Sequence, residues 1–150
     1  MPKKPTTADA QLILQLYDLR REAEMRKARA WFAGFWPEKA EDVVEVINNF
    51  GTQENAWYRQ VSGYWDMAAS LVLSGALNEE LFTDCNGEMW FIFCKINPFL
   101  KEVREIIKTP QMMAHVEKLA KKSKKGRERL QALEKRFSSR RGAAAAASKS

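Results

Sequence analysis

The chain has 150 residues, of which 45% are apolar, 11% aromatic and 29% charged, with a formal charge of +6. That apolar fraction over one domain's length is enough to bury a core, which excludes wholesale disorder. Two cysteines, Cys85 and Cys94, and a single histidine, His115, exclude a disulfide scaffold, a four-cysteine zinc site and centres that need two histidines.

Helical periodicity runs through the whole chain. Thr7 is an expected N-cap for a segment reaching Phe35, stopped by Gly34 and Pro37. Its first half is apolar at Leu12, Leu16, Leu19 and Ala23, and its second half at Met25, Ala28, Phe32 and Phe35. These two stripes lie on different faces, so the segment either kinks near Arg20–Glu24 or meets different neighbours at its ends. Pro37 opens a shorter segment to Asn49 with Val43, Val46, Ile47 and Phe50 inward. Its β-branched run also suits a strand; the spacing and the want of a partner strand favour a helix.

Gly51 stops that segment and Thr52 caps the next, whose stripe is Trp57, Val61, Tyr64, Trp65, Ala68, Leu71 and Val72. A close helix crossing is one reason to keep Gly63 inside it. Asn78 caps a short helix to Cys85, and Asn86-Gly87 turns into the aromatic segment from Met89. Pro98 should split this segment before Phe99, Val103, Ile106 and Ile107 continue the inner face. Pro110 then opens a last helix to Phe137.

The last helix carries the clearest pattern in the chain. Met112, Val116, Leu119, Ser123, Gly126, Leu130, Leu133 and Phe137 are spaced 4-3-4-3-4-3-4, a coiled-coil seam with a poor middle. Residues 118–150 hold 12 Lys and Arg against two acids, a net of +10, whereas residues 1–117 carry a net of −4. The expectation is an all-α protein: a compact bundle of about five to six helices with a long C-terminal helix extended into a basic arm. Its body is residues 1–117, frayed over 1–6, with a basic extension at 118–137 and a disordered Ala/Ser/Arg tail at 138–150. Beyond a flexible joint at the Lys-rich stretch, Leu130, Leu133 and Phe137 form a short apolar seam. It is too short to hold a helix alone and needs a surface: the body, a second copy or an acidic partner.

No Glu-x-x-His pair exists for a di-iron bundle, and no Gly-rich phosphate loop or nucleophile elbow appears. The sequence therefore points to no catalytic, cofactor-binding or metal-binding residue. The five tryptophans, Trp31, Trp36, Trp57, Trp65 and Trp90, are expected mainly in the core; a ligand pocket lined by them is the sharper alternative.

The stretch Asn78–Leu119 holds an Asn-Glu-Glu-Leu cap, a Trp-bearing helix, Asn97-Pro98-Phe99, Arg104, Thr109-Pro110 and Glu117-x-Leu119. It resembles a widespread bacterial all-helical domain of unknown function. The resemblance implies an all-helical bacterial protein and brings no activity or site with it.

The leading expectation is a non-enzymatic interaction or self-association module built on the basic arm. The alternative is a nucleic-acid-associated protein using Lys118, Lys121, Lys122, Lys124, Lys125, Arg127 and Arg129 as phosphate contacts, weak and lost with salt. An enzyme or ligand-binding protein with an aromatic-lined pocket stands third. No secretory-type apolar run follows the basic N-terminus, and the most apolar stretch, Met89–Leu100, is too short to span a bilayer. The expected location is cytoplasmic, without a transmembrane segment.

Overall fold

The computed structural model describes residues 3–148, with side chains through Arg141. It is all-helical, and no strand occurs among the described residues. The expected first segment is two helices, α1 (Thr7–Arg20) and α2 (Ala23–Gly34). The change of apolar face seen in the sequence is the break between them. Glu22 makes that break: its carboxylate accepts the N–H groups of Glu24 and Met25 at 3.1 and 2.9 Å and starts α2 afresh. Leu19 and Ala23, expected inward, are exposed.

The cap of α1 is Thr6, not Thr7. The Asp9 amide donates to Thr6 Oγ1, and the Thr6 amide donates back to Asp9 Oδ2, closing a capping box. Because the Asn78 side-chain amide also donates to Lys3 O, the segment expected to fray is tied down from Lys3 onward.

Helix α3 (Ala40–Asn48) settles the strand question at residues 43–50. It starts three residues later than Pro37, because the Asp42 carboxylate gathers the amides of Glu38 and Lys39 ahead of it. Phe50, expected inward, lies past the end of α3 and is 75% exposed. Helix α4 (Gln53–Leu73), capped by Thr52, is the central strut, packed on α2 and α8. Open space surrounds the Cα of Gly63, so no close crossing explains that glycine. Gly51 and Gly75 sit at φ of 89° and 83°, the left-handed geometry that ends their helices.

Helix α5 (Glu79–Cys85) is capped by Asn78, and α6 (Glu88–Ile96) carries the aromatic segment. Pro98 splits the helical run after α6, leaving a 3₁₀ turn at Asn97–Phe99 and then α7 (Leu100–Ile107). Pro110 opens no helix. The chain turns from Thr109 to Met113, which sits at φ 53°, and α8 (Ala114–Lys122) begins at Ala114.

Ser123 then takes an extended conformation, φ −99° and ψ 157°, and α9 (Lys124–Ser148) folds back along α6 and α8. The expected boundary at residue 117 falls inside α8. Leu119, Ala120 and Leu130 lie in the same buried cluster as Trp65 of α4 and Phe93 of α6. The backbone of α9 continues through Ser148, past the start of the expected tail; residues 149 and 150 lie outside the described residues.

Candidate interaction surface

Helix α9 is the element on which the sequence concentrates its charge and its seam, and the structure gives it a seat. Leu130 is 5% exposed, and Leu133 and Phe137 are half-buried against the core. The Phe137 ring lies 5.1 Å from that of Trp36 and 5.4 Å from that of Phe91. Polar contacts flank this seam. Asn97 Nδ2 donates to Glu134 Oε1 at 2.7 Å, and Arg141 donates to the carbonyls of Cys94 and Lys95 at the end of α6. The short seam therefore finds its surface on the chain's own body, one of the three partners open to it.

The joint between α8 and α9 is fixed by local chemistry rather than by flexible lysines. Ser123 Oγ accepts the Gly126 amide at 2.9 Å, an N-cap for α9. The carbonyls that α8 leaves open are answered from outside it: Arg127 donates to Lys121 O and Lys122 O, and the Trp90 indole donates to Ala120 O. Gly126 is buried at this corner. A methyl group there would lie 2.5 Å from Ala120 O, so the fold-back needs a glycine.

The basic residues of the arm divide into three kinds. Lys121, Lys122 and Lys125 pair with Glu117, Glu79 and Asp84, and Lys124 pairs more loosely with Glu128 at 3.8 Å. Arg127 and Arg129 serve helix ends, the latter donating to Thr83 O while its guanidinium lies over the Trp90 ring. Lys118 is exposed and makes no ion pair among the described residues. The exposed pairs are individually worth little, and the carbonyl contacts give the joint its geometry.

Beneath α9 lies a residue that sequence reasoning passed over. Lys95 is 0% exposed, and its ammonium donates to Phe32 O, Ala33 O and Phe35 O at 2.6, 2.8 and 3.1 Å. These carbonyls are the C-terminus of α2, where a cation is favoured by the helix dipole. The Trp36 and Phe91 rings close the cage at 4.0 and 4.7 Å. Burial pushes the Lys95 pKa down to about 7, with Arg141 adding repulsion. The three carbonyls act in the opposite sense, since an ammonium has one N–H for each of them. Only a charge within the apolar run that follows Glu88 marks this position in the sequence.

Other polar side chains join helices. Arg20 and Arg29 both reach Glu88, and Asn55, fully buried on α4, donates to Val46 O and Ile47 O at the end of α3. His115 pairs with Asp66, which also accepts the amides of His115 and Val116 at the start of α8. Cys94 is buried, its thiol pushed up to about 11, and donates to Phe91 O. Among the described residues, no three of His, Cys, Asp or Glu are placed to hold a metal ion, and no helix is long and apolar enough to cross a membrane.

The tryptophans do not share one cavity. Trp65 and Trp90 are fully buried, Trp31 stacks with Phe35 near Trp57, and Trp36 covers Lys95. A hollow of about 530 Å³ opens instead beside the α8–α9 joint, lined by Val72, Leu77, Glu79, Asp84, Lys122 and Lys125 among others.

An all-helical domain whose polar side chains mainly close helix ends is the class this architecture defines. The chain matches a domain of unknown function, DUF4760, over residues 5–123, and it belongs to that family. No curated protein and no solved structure matches it. Several residues that carried the resemblance hold helices together here: Asn78 caps α5, and Arg104 donates twice to Met112 O and once to Glu117. The family match ends at Ser123, the corner from which α9 folds back.

Proposed function

We propose that this protein is a non-enzymatic interaction and self-association module whose working element is the basic helix α9. The observation that carries the reading is the seating of α9: an apolar seam on α6, joined to the family domain through one extended residue. Several groups that usually do chemistry are otherwise engaged, although the Cys85 thiol is exposed. His115 is tied to Asp66, the Cys94 thiol is buried with a raised pKa, and Lys95 is held by three carbonyls. The nucleic-acid alternative draws on the same cations. A phosphate would have to displace Glu117, Glu79 and Asp84 from Lys121, Lys122 and Lys125, and helix-end carbonyls from Arg127 and Arg129.

Two variants separate the readings. One changes Lys121, Lys122, Lys124 and Lys125 to Gln; the other changes Leu130 and Leu133 to Glu, placing charge on the seam. Mass by light scattering and anisotropy of a labelled DNA duplex are measured at low and high salt. The interaction reading expects self-association that survives the lysine changes and disappears with the leucine changes. Phosphate binding expects log affinity to fall with log salt by about 0.9 per contact, a slope the lysine variant flattens. Should the lysine variant lose all detectable binding while the leucine variant keeps it, the nucleic-acid reading replaces ours.

A further inference from the structure

Sequence and structure disagree at one place in an informative way. The seam positions from Met112 to Phe137 keep a 4-3 spacing, with Ser123 and Gly126 at the two in the middle; that register suits one continuous helix, yet the chain bends at Ser123. We infer that α9 exchanges between copies: straightening at Ser123 merges α8 and α9 into one helix, and the seam then seats on α6 of a second copy. This rests on the self-association reading above and names its partner and its hinge.

The hinge is a single residue. In the bent form Ser123 is extended and caps α9, and Ala120 O accepts from the Trp90 indole at 3.4 Å. In a straight helix Ala120 O would instead take the Lys124 amide, four residues on, and the cap would be unnecessary. Both forms thus satisfy the same carbonyl. What α9 leaves behind is apolar: Phe137 is lifted from Trp36 and Phe91, and Leu130 from the core. The polar contacts α9 makes with the body — Asn97 to Glu134, Arg129 to Thr83 O, Lys125 to Asp84, Arg141 to the end of α6 — join segments that need not belong to one chain. An element exchanged between identical protomers is a direct route to a closed dimer, and a short hinge favours it.

The corner supplies variants that push the two forms in opposite directions. Gly126→Ala places a methyl group 2.5 Å from Ala120 O in the bent form only, and alanine suits a helix interior. It should strengthen the dimer by about tenfold or more, since both chains escape the overlap. Lys124→Pro does the reverse. Proline is welcome at the first position of α9, and the ψ of 157° at Ser123 suits the residue before a proline. In a merged helix it sits in the interior, so the dimer should weaken on the order of 10⁴-fold across two chains, beyond detection.

Mass is followed by light scattering against concentration for the intact chain and these variants, with helicity by circular dichroism. Exchange expects Gly126→Ala to raise the dimer and Lys124→Pro to remove it, helicity being retained in both. A dimer that neither substitution moves overturns exchange and leaves self-association standing. A folded Gly126→Ala chain that stays monomeric at every concentration overturns exchange as well. If Gly126→Ala does not fold, Ser123→Ala, which only removes the cap, takes its place: it must show more dimer than the parent, and a monomer overturns the proposal.

Discussion

Replacing Lys95 by Met leaves an unbranched apolar chain one atom shorter and removes the charge and all three donors. Three carbonyls at the end of α2 lose their partner, each at about 1–3 kcal/mol, while relief from burying an ammonium returns several kcal/mol. The balance is a loss of about 2 kcal/mol at neutral pH, or roughly 4–8 °C in melting temperature for a domain of this size. The pH dependence makes the sharper check. The folded pKa, about 7, lies below the ordinary lysine value of 10.5. Well below pH 7 both states hold the proton and the gap between parent and variant is constant. Above it the unfolded chain still binds a proton that the folded chain releases, so the parent gains up to about 1.4 kcal/mol per pH unit until the unfolded group titrates. Urea unfolding of parent and Lys95→Met at a series of pH values should therefore show a gap that widens from neutral to alkaline pH. A gap that stays flat or narrows would refute this account of the cage.

Two further substitutions test the frame. Trp65 is fully buried on α4, so Trp65→Ala should cost about 3–5 kcal/mol, and a variant melting within two or so degrees of the parent would mean the α4 stripe is misplaced. Asn55→Ala removes both donors from the carbonyls of Val46 and Ile47 and should destabilise by about 2 kcal/mol by chemical denaturation, with the loss felt where α3 meets α4; an unchanged midpoint would mean water serves those carbonyls equally well.

What was legible in the sequence was the helical content and most of its punctuation. Thr52, Asn78, Gly51 and Pro98 each act locally, and a local signal can be read without the fold. The errors came where a remote or reciprocal contact decides. Phe50 reads as the next inward position of α3, yet the helix has already ended and Asn55 has taken its last carbonyls. The α8–α9 corner looked like a flexible lysine joint, because the reasons for it are a tryptophan 30 residues earlier and a glycine whose missing methyl group makes room for a carbonyl. Lys95 was invisible as a site, since nothing near it in sequence announces that the end of α2 will arrive to receive its charge.

Helix α1 is apolar on both sides: Leu12, Ile13 and Leu16 lean on the body while Leu14, Tyr17 and Leu19 face outward. With apolar side chains on both sides, the helix draws its orientation from polar ties as well as from packing. Asp9 accepts the Asn78 amide, the Tyr64 hydroxyl donates to Leu16 O, and Arg20 and Arg29 share Glu88. These ties lock rotation about the helix axis as a key locks a shaft. Loosening them would leave the packing of Leu16, and of Arg20 over Trp65, as what still selects one oily face over the other.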